Sequence, residues 1–78
     1  MNPRPTDVKA LENYQLLITF KNGEKKIFDV KPYLQLKIFE PLMNKGFFKL
    51  AKADGMTVYW NDDLDICPDE LYENSIRQ

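Results

Sequence analysis

The sequence contains no histidine and only one cysteine, Cys67. Without histidine the chain lacks the usual general base and the commonest ligand of transition metals. One cysteine cannot form an internal disulfide, and no Cys/His cluster is available to hold zinc. The absence of a histidine partner and the acidic neighbours of Cys67 also argue against a reactive thiolate at that position. We therefore expect no catalytic, cofactor-binding or metal-binding residues.

Glycine and long apolar runs are scarce as well. The three glycines are scattered and form no loop of the kind that cradles phosphates. No segment approaches the roughly 18–20 consecutive apolar residues needed to cross a bilayer. The first residues lead into polar sequence and do not resemble a signal peptide. Since an unpaired cysteine also suits a reducing compartment, we expect a cytoplasmic protein that does not engage a membrane.

Net charge is small: 11 basic and 12 acidic residues give −1, and the two signs are mixed along the chain. Proteins that bind nucleic acid by counterion release concentrate several cations on one face. The pair Lys25-Lys26 is too small a group for this purpose. A nucleic-acid accessory domain is therefore the weakest of the functional hypotheses considered.

The 78 residues include ten aromatic side chains and are 44% hydrophobic, which is typical of a globular chain. Residues 1–5 contain two prolines and are predicted to be a flexible leader. Residues 6–78 are predicted to form one domain. A chain of this size buries only roughly 60–65% of its unfolded surface, so self-association is an easy way to bury more.

Two dipeptides, Asn22-Gly23 and Asp54-Gly55, mark predicted hairpins. In the first, a three-residue loop with a left-handed Gly23 pairs Leu16 with Phe28 and Leu17 with Ile27, and both faces of the hairpin then carry apolar residues. In the second, predicted over residues 47–60 with its first strand beginning at Phe47, a two-residue turn would place Ala53 opposite Met56 and Ala51 opposite Val58. A further short strand is predicted for residues 6–10.

Between and after the hairpins the sequence is typical of short helices. Pro32 and Pro41 each suit a first helical turn, with a break near residues 36–38 and a stop at Asn44-Lys45-Gly46. A short C-terminal helix is predicted from Pro68 to about Ser75. The order of elements predicts an α+β fold, with an antiparallel sheet built from two hairpins, short intervening helices and a C-terminal helix.

The stretch "WNDDLDICPDEL" concentrates five acidic residues between a strand and a helix. Starting at Asn61, it matches the first three ligand positions of a calcium loop, but it has Ile66 in place of the required glycine and Tyr72 in place of the final glutamate. A magnesium site at Asp62, Asp63 and Asp65 is compatible with the spacing. We favour a structural interpretation, in which Asn61-Asp62-Asp63 turns the chain and Pro68, Asp69 and Glu70 begin a helix.

The spacing of several apolar, glycine and proline residues resembles a small bacterial family known only as a domain of unknown function, number twenty-four forty-two in that series. The resemblance extends from about Val8 to Tyr72 and rests on Leu16-x-Ile18-x-Phe20, Gly23, Phe28-Asp29-Val30, Phe39-x-x-Leu42, Phe47, Thr57-Val58-x-Trp60 and Asp65-Ile66-x-Pro68-x-x-Leu71-Tyr72. It implies a small α+β protein, often encoded beside another small protein in an arrangement similar to toxin–antitoxin pairs. Some relatives carry an appended helix-turn-helix domain, but these 78 residues contain none.

The leading hypothesis is an interaction module that binds a small partner protein or another copy of itself. The residues predicted to form a partner surface are Trp60, Asp65, Asp69 and Tyr72. The alternative from a different class is a carboxylate-dependent, magnesium-assisted hydrolase using Asp62, Asp63 and Asp65.

Overall fold

The structure, a computed structural model, describes residues 2–77. Within that range seven strands and two α-helices form: β1 (Pro5–Ala10), β2 (Gln15–Phe20), β3 (Lys25–Asp29), α1 (Lys45–Phe48), β4 (Lys52–Ala53), β5 (Val58–Asn61), β6 (Leu64–Ile66), α2 (Pro68–Asn74) and β7 (Ile76–Arg77). All strand pairs are antiparallel. The predicted α+β class is confirmed.

The two predicted hairpins do not share a sheet. One sheet has four strands in the order β1-β2-β3-β7, and the other has three in the order β4-β5-β6. None of the helices within residues 2–77 is both long enough and apolar enough to span a membrane. Residues 30–51, which lie between β3 and β4, connect the two sheets.

The first strand begins one residue earlier than expected. Pro5 is fully buried and pairs with Phe20, so it belongs to β1 and not to the leader predicted for residues 1–5. Proline is tolerated as the first residue of a strand because its missing N–H costs no interior ladder hydrogen bond. Asn2 also makes a defined contact, since its amide donates to the Glu73 carboxylate over 2.8 Å.

The hairpin β2–β3 has the predicted register. Leu16 pairs with Phe28 and Leu17 with Ile27. The amide of Phe20 donates to the carbonyl of Glu24 over 2.8 Å, and Gly23 has φ +90°. A residue in this left-handed conformation closes a three-residue loop, and glycine adopts it without the clash that a Cβ would introduce.

The register predicted for the second hairpin is wrong. Ala53 pairs with Val58, not with Met56, so the connection is longer than two residues. The side chain of Asp54 accounts for the difference, because its Oδ1 accepts hydrogen bonds from the amides of Met56 and Thr57, each over 2.8 Å. An Asp side chain that caps the turn in this way replaces the tight two-residue closure.

The segment between the sheets is helical, as predicted, but mostly in the tighter 3₁₀ form. One 3₁₀ helix covers Lys31–Gln35, a second covers Lys37–Met43, and Leu36 separates them. Asn44 ends the second and also starts α1, because its side chain accepts from the amide of Phe47 over 3.1 Å. Phe47 and Phe48 therefore lie in a helix and not in the strand predicted for them.

A single cluster of buried apolar side chains lies between the two sheets and the helical segments. Leu42 comes from a 3₁₀ helix, Phe48 from α1 and Leu71 from α2. The strands supply the remainder: Leu16, Ile18, Phe20, Phe28, Val30, Val58, Trp60, Leu64 and Ile66. In the four-stranded sheet these residues alternate with less buried ones, so only one face of that sheet is covered by the core.

Candidate functional site

The acidic stretch forms a turn and a strand. Asn61 ends β5, and its Oδ1 accepts a hydrogen bond from the amide of Asp63 over 2.9 Å. Asp62 and Asp63 reverse the chain, as predicted, and Asp65 then lies in β6, paired with Tyr59. Among residues 2–77 no group of three His, Cys, Asp or Glu side chains is arranged to hold a metal ion. The turn predicted at Asn61-Asp62-Asp63 is confirmed by the hydrogen bond between Asn61 and Asp63.

The second half of the stretch begins α2. Pro68 occupies the start of the helix, with Asp69 and Glu70 in its first turn. Anionic side chains there interact favourably with the helix dipole. Cys67 occupies the N-cap position, is exposed and makes no side-chain capping hydrogen bond.

The four residues predicted to form a partner surface lie on three different elements and differ in burial. Trp60 is only 6% exposed, and its indole N–H donates to the carbonyl of Phe48 over 2.9 Å. Asp65 is exposed on the other face of the same three-stranded sheet. Asp69 is exposed on α2, and Tyr72 is half-buried. Trp60 therefore serves the core, which differs from its predicted role, because in so small a domain the indole ring fills the space beside α1.

Tyr72 belongs to a polar cluster that holds α2 and β7 against the first hairpin. Its hydroxyl donates to the Glu24 carboxylate over 2.5 Å, and Arg77 contacts the same carboxylate over 3.1 Å. Hydrogen bonds from Tyr72 and Asn22, aided by the charge of Arg77, lower the pKa of Glu24 below its ordinary value. The Lys26 ammonium lies 3.6 Å from the centre of the Tyr72 ring and donates to the Tyr72 carbonyl. These contacts give Tyr72 a structural function.

The 3₁₀ segment is attached to α2 by a further polar contact. The hydroxyl of Tyr33 donates to the Glu70 carboxylate. Burial, together with this hydrogen bond, raises the pKa of Tyr33 to about 12. Tyr33 therefore stays protonated at neutral pH and acts as a donor and not as a base.

A cleft of ≈ 550 Å³ lies where β1 turns into β2, lined partly by Glu12, Lys45 and Lys49. The backbone there is unusual, because Asn13 and Tyr14 have φ of 61° and 59°. The side chain of Tyr14 is already engaged, since its hydroxyl donates to the carbonyl of Met43. The cleft brings together no pair of groups with the geometry of a nucleophile and its base, so we assign it no chemistry.

The uncovered face of the four-stranded sheet carries an apolar row, which we call the open face row: Leu17, Ile27 and Ile76. The pairing of β2 with β3 and of β3 with β7 places these residues side by side across three strands. Ile76 is 75% exposed, and Leu17 and Ile27 are partly exposed without packing on the core cluster. An apolar row on an uncovered sheet face is typical of a surface that binds another protein.

Charged residues surround the open face row. Lys25 and Asp29 lie two positions before and after Ile27, on the same face of β3. Lys9 pairs with Leu17 at the β1 end of the row, and Asp7 lies two residues away on the same face. The Asp29 carboxylate contacts Lys31 over 3.0 Å, through Oδ1. The face thus has an apolar centre and a charged rim, which is the usual composition of a protein interface.

Other exposed apolar side chains lie outside the strands. Leu36 and Ile38 are on the 3₁₀ segments, Leu50 follows α1, and Met56 is in a hairpin turn, each with 51–61% of its surface exposed. Single exposed apolar residues are common on protein surfaces. The open face row differs from them because regular strand pairing holds its members in adjacent positions.

Part of the open face row could be predicted from the sequence. The predicted register already placed Leu17 opposite Ile27, on a hairpin with apolar residues on both faces. The position of Ile76 could not be predicted, because β7 is two residues long and pairs with a strand some fifty positions earlier. The partner-surface prediction instead selected aromatic and acidic residues of the second half of the chain.

The chain is thus a small α+β protein with a four-stranded antiparallel sheet, of which the core covers one face. The model of the family described as "Protein of unknown function (DUF2442)" matches residues 5–77, and the chain belongs to that family. The resemblance inferred from the residues is confirmed. No curated protein and no solved structure matches the chain.

Proposed function

We propose that this protein is a cytoplasmic interaction module without catalytic activity, which binds a protein surface through the open face row. The bound surface belongs to a small partner, as in a toxin–antitoxin or other regulatory pair, or to another copy of the chain. The observation that carries this proposal is the row Leu17, Ile27 and Ile76, which lies on an uncovered sheet face and is surrounded by charge.

The size of the domain supports the same conclusion. Its core contains buried apolar side chains from both sheets, and the open face row lies outside it. Covering that row would remove further apolar surface from water, at roughly 25 cal/mol for each Å². The free thiol of Cys67 is exposed, which suits the reducing environment of the cytoplasm.

The hydrolase alternative receives no support from the geometry. Asp62 and Asp63 lie in a solvent-exposed turn, while Asp65 is on the strand that follows. A two-carboxylate magnesium site needs its ligands to converge on one position. These three side chains belong to no metal-competent group among residues 2–77.

The test compares two double variants in co-purification with the product of the neighbouring gene and in light scattering of the isolated protein. L17T/I27T removes the apolar centre of the open face and keeps residues that favour strands. The control L50T/M56T removes two apolar side chains that are more exposed and lie outside the open face row. Circular dichroism establishes that both variants are folded.

We expect L17T/I27T to lose complex formation, whether with the partner or with itself, and L50T/M56T to retain it. The proposal is wrong if the wild-type protein forms neither kind of complex. It is also wrong if both variants bind as well as the wild type.

A further inference from the structure

We propose that the open face binds a second copy of the same chain, face to face, about a two-fold axis that runs along the open face row. This inference rests on the proposed function and names the occupant of the site. It is carried by the position of two opposite charges on β3, Lys25 and Asp29, at equal distances on either side of Ile27.

A two-fold axis through Ile27 would bring these two opposite charges together across the interface. An axis that lies between two facing sheets and runs across the strands through Ile27 reverses the strand direction of the second copy. Residues two positions before Ile27 in one copy then face residues two positions after it in the other. Each Lys25 therefore faces Asp29 of the partner subunit, and the contact occurs twice.

The same operation places the apolar residues against themselves. Leu17, Ile27 and Ile76 lie on the axis, so each meets its own counterpart in the other copy. Such a self-complementary patch is what an isologous interface requires. Sheets that pack face to face in this way are about 10 Å apart, close enough for the side chains of the two rows to interdigitate.

The rim charges on β1 are compatible with the arrangement. Lys9 lies at the end of the row, at the edge of the sheet, and the axis brings it near its own counterpart. The operation also places Asp7 of the partner subunit diagonal to Lys9, so that one carboxylate lies on each side of the two lysines. The twist of each sheet separates the corners, and the long Lys9 side chain can extend into water.

Asp29 remains available for a contact across the axis. Within the chain it accepts from the backbone amide of Lys31 and contacts the Lys31 ammonium, in both cases through Oδ1. Lys25 is exposed. The side chain of Asp29 is 44% exposed, so a second cation can approach its carboxylate.

The area of the face sets the expected affinity. The four strands contain 19 residues. With strands about 4.8 Å apart and a rise of about 3.4 Å for each residue, they cover a flat area of about 310 Å². Standard interfaces bury about 800 Å² on each side. We therefore expect a weak dimer, and sedimentation equilibrium should cover protein concentrations from about 10 μM to about 1 mM.

Charge reversal on β3 tests the axis directly. K25E places a glutamate against Asp29 of the partner subunit in two symmetric positions, and D29K places a lysine against the partner's Lys25 in the same way. We expect each single variant to weaken dimerisation by about tenfold or more at low salt. The double variant K25E/D29K restores opposite charges across the axis, and its dimerisation should return to within about threefold of the wild type.

Mixing provides a second measurement. In a dimer of K25E/D29K with the wild-type chain both β3 pairs across the axis are like-charge pairs, as in the single variants. Native mass spectrometry should therefore detect the two homodimers, and mixed dimer reduced by about tenfold or more relative to random pairing. K49E, which changes a lysine outside the four-stranded sheet, is the matched control and should dimerise as the wild type does.

A wild-type chain that remains monomeric to about 1 mM would overturn the inference. A dimer whose association is unchanged in K25E and D29K would overturn it as well. In either case the proposed function still holds if the wild-type protein binds the neighbouring gene product and L17T/I27T does not. The dimer and the proposed function are therefore refuted by different results.

Discussion

Replacement of Leu71 by alanine should cause a large loss of stability. Leu71 is fully buried and is the only buried residue of α2, which has seven residues. Leu-to-Ala changes at such positions cost about 2–5 kcal/mol, because transfer free energy is lost and a cavity is left. We expect about 3 kcal/mol here.

The chain length converts this value into a melting temperature. With 78 residues and about 2.1 cal/mol/K for each, the entropy of unfolding is about 160 cal/mol/K. A loss of about 3 kcal/mol then lowers Tm by roughly 18 °C. The assay is thermal and urea unfolding followed by the fluorescence of the buried Trp60, at a protein concentration low enough to avoid a contribution from self-association.

The control is L50A, the same chemical change at a residue that is 55% exposed. Its cost should stay within about 0.5 kcal/mol. If L71A destabilised the protein no more than L50A does, Leu71 would not anchor α2, and the described packing of the helix would be refuted. Because β7 follows α2, L71A should also speed hydrogen exchange at Ile76. It should also weaken the binding that we propose for the open face row.

Two further predictions concern the first hairpin. G23A should destabilise the protein by about 1–2 kcal/mol in urea unfolding, because an L-residue is strained at the φ of +90° that Gly23 adopts. An added Cβ would meet no neighbouring atom, so backbone strain is the whole effect. A synthetic chain with D-alanine at this position should keep its stability, and a loss equal to that of G23A would contradict the reasoning. For Glu24, the lowered pKa means that the carboxylate stabilises the fold above its ordinary pKa of 4.5 and that this contribution is lost as pH falls through the lower folded value. Urea titrations from about pH 6 to about pH 3 should therefore show a shallower loss of stability in E24Q than in the wild type, and equal slopes would be the contrary result.

Local sequence determined the first hairpin, and it could be predicted in register. Asn22 and Gly23 define the loop, and the apolar residues on each side choose between the two possible alignments. The start of α2 was predictable for the same reason, since Pro68, Asp69 and Glu70 are all within the first turn. Each of these features depends on residues that are close to one another in the sequence.

Side-chain hydrogen bonds explain the errors in the middle of the chain. Asp54 accepts from two amides and lengthens the second turn, and Asn44 accepts from the Phe47 amide and begins a helix where a strand was predicted. A sequence pattern indicates that Asp and Asn favour turns and helix starts. It does not determine which amides they will bind.

The open face could be predicted only in part, because it depends on distant pairing. β7 is too short to give an apolar pattern of its own, and it is placed beside β3 by the docking of α2 through Leu71 and Tyr72. Trp60 shows the converse. Its aromatic character suggested a surface role, but the packing of α1 and β5 places it in the core.

The connection between β1 and β2 limits how this family member can evolve. Tyr14 has φ of 59°, a conformation that favours glycine, yet its ring packs at 5.3 Å from that of Phe48 and its carbonyl accepts from the amide of Val30. Glycine would relieve the backbone and lose the ring, whereas any other residue would keep the strain and lose the hydroxyl that binds Met43. No single substitution satisfies both demands, so position 14 should drift far more slowly than the exposed positions around it.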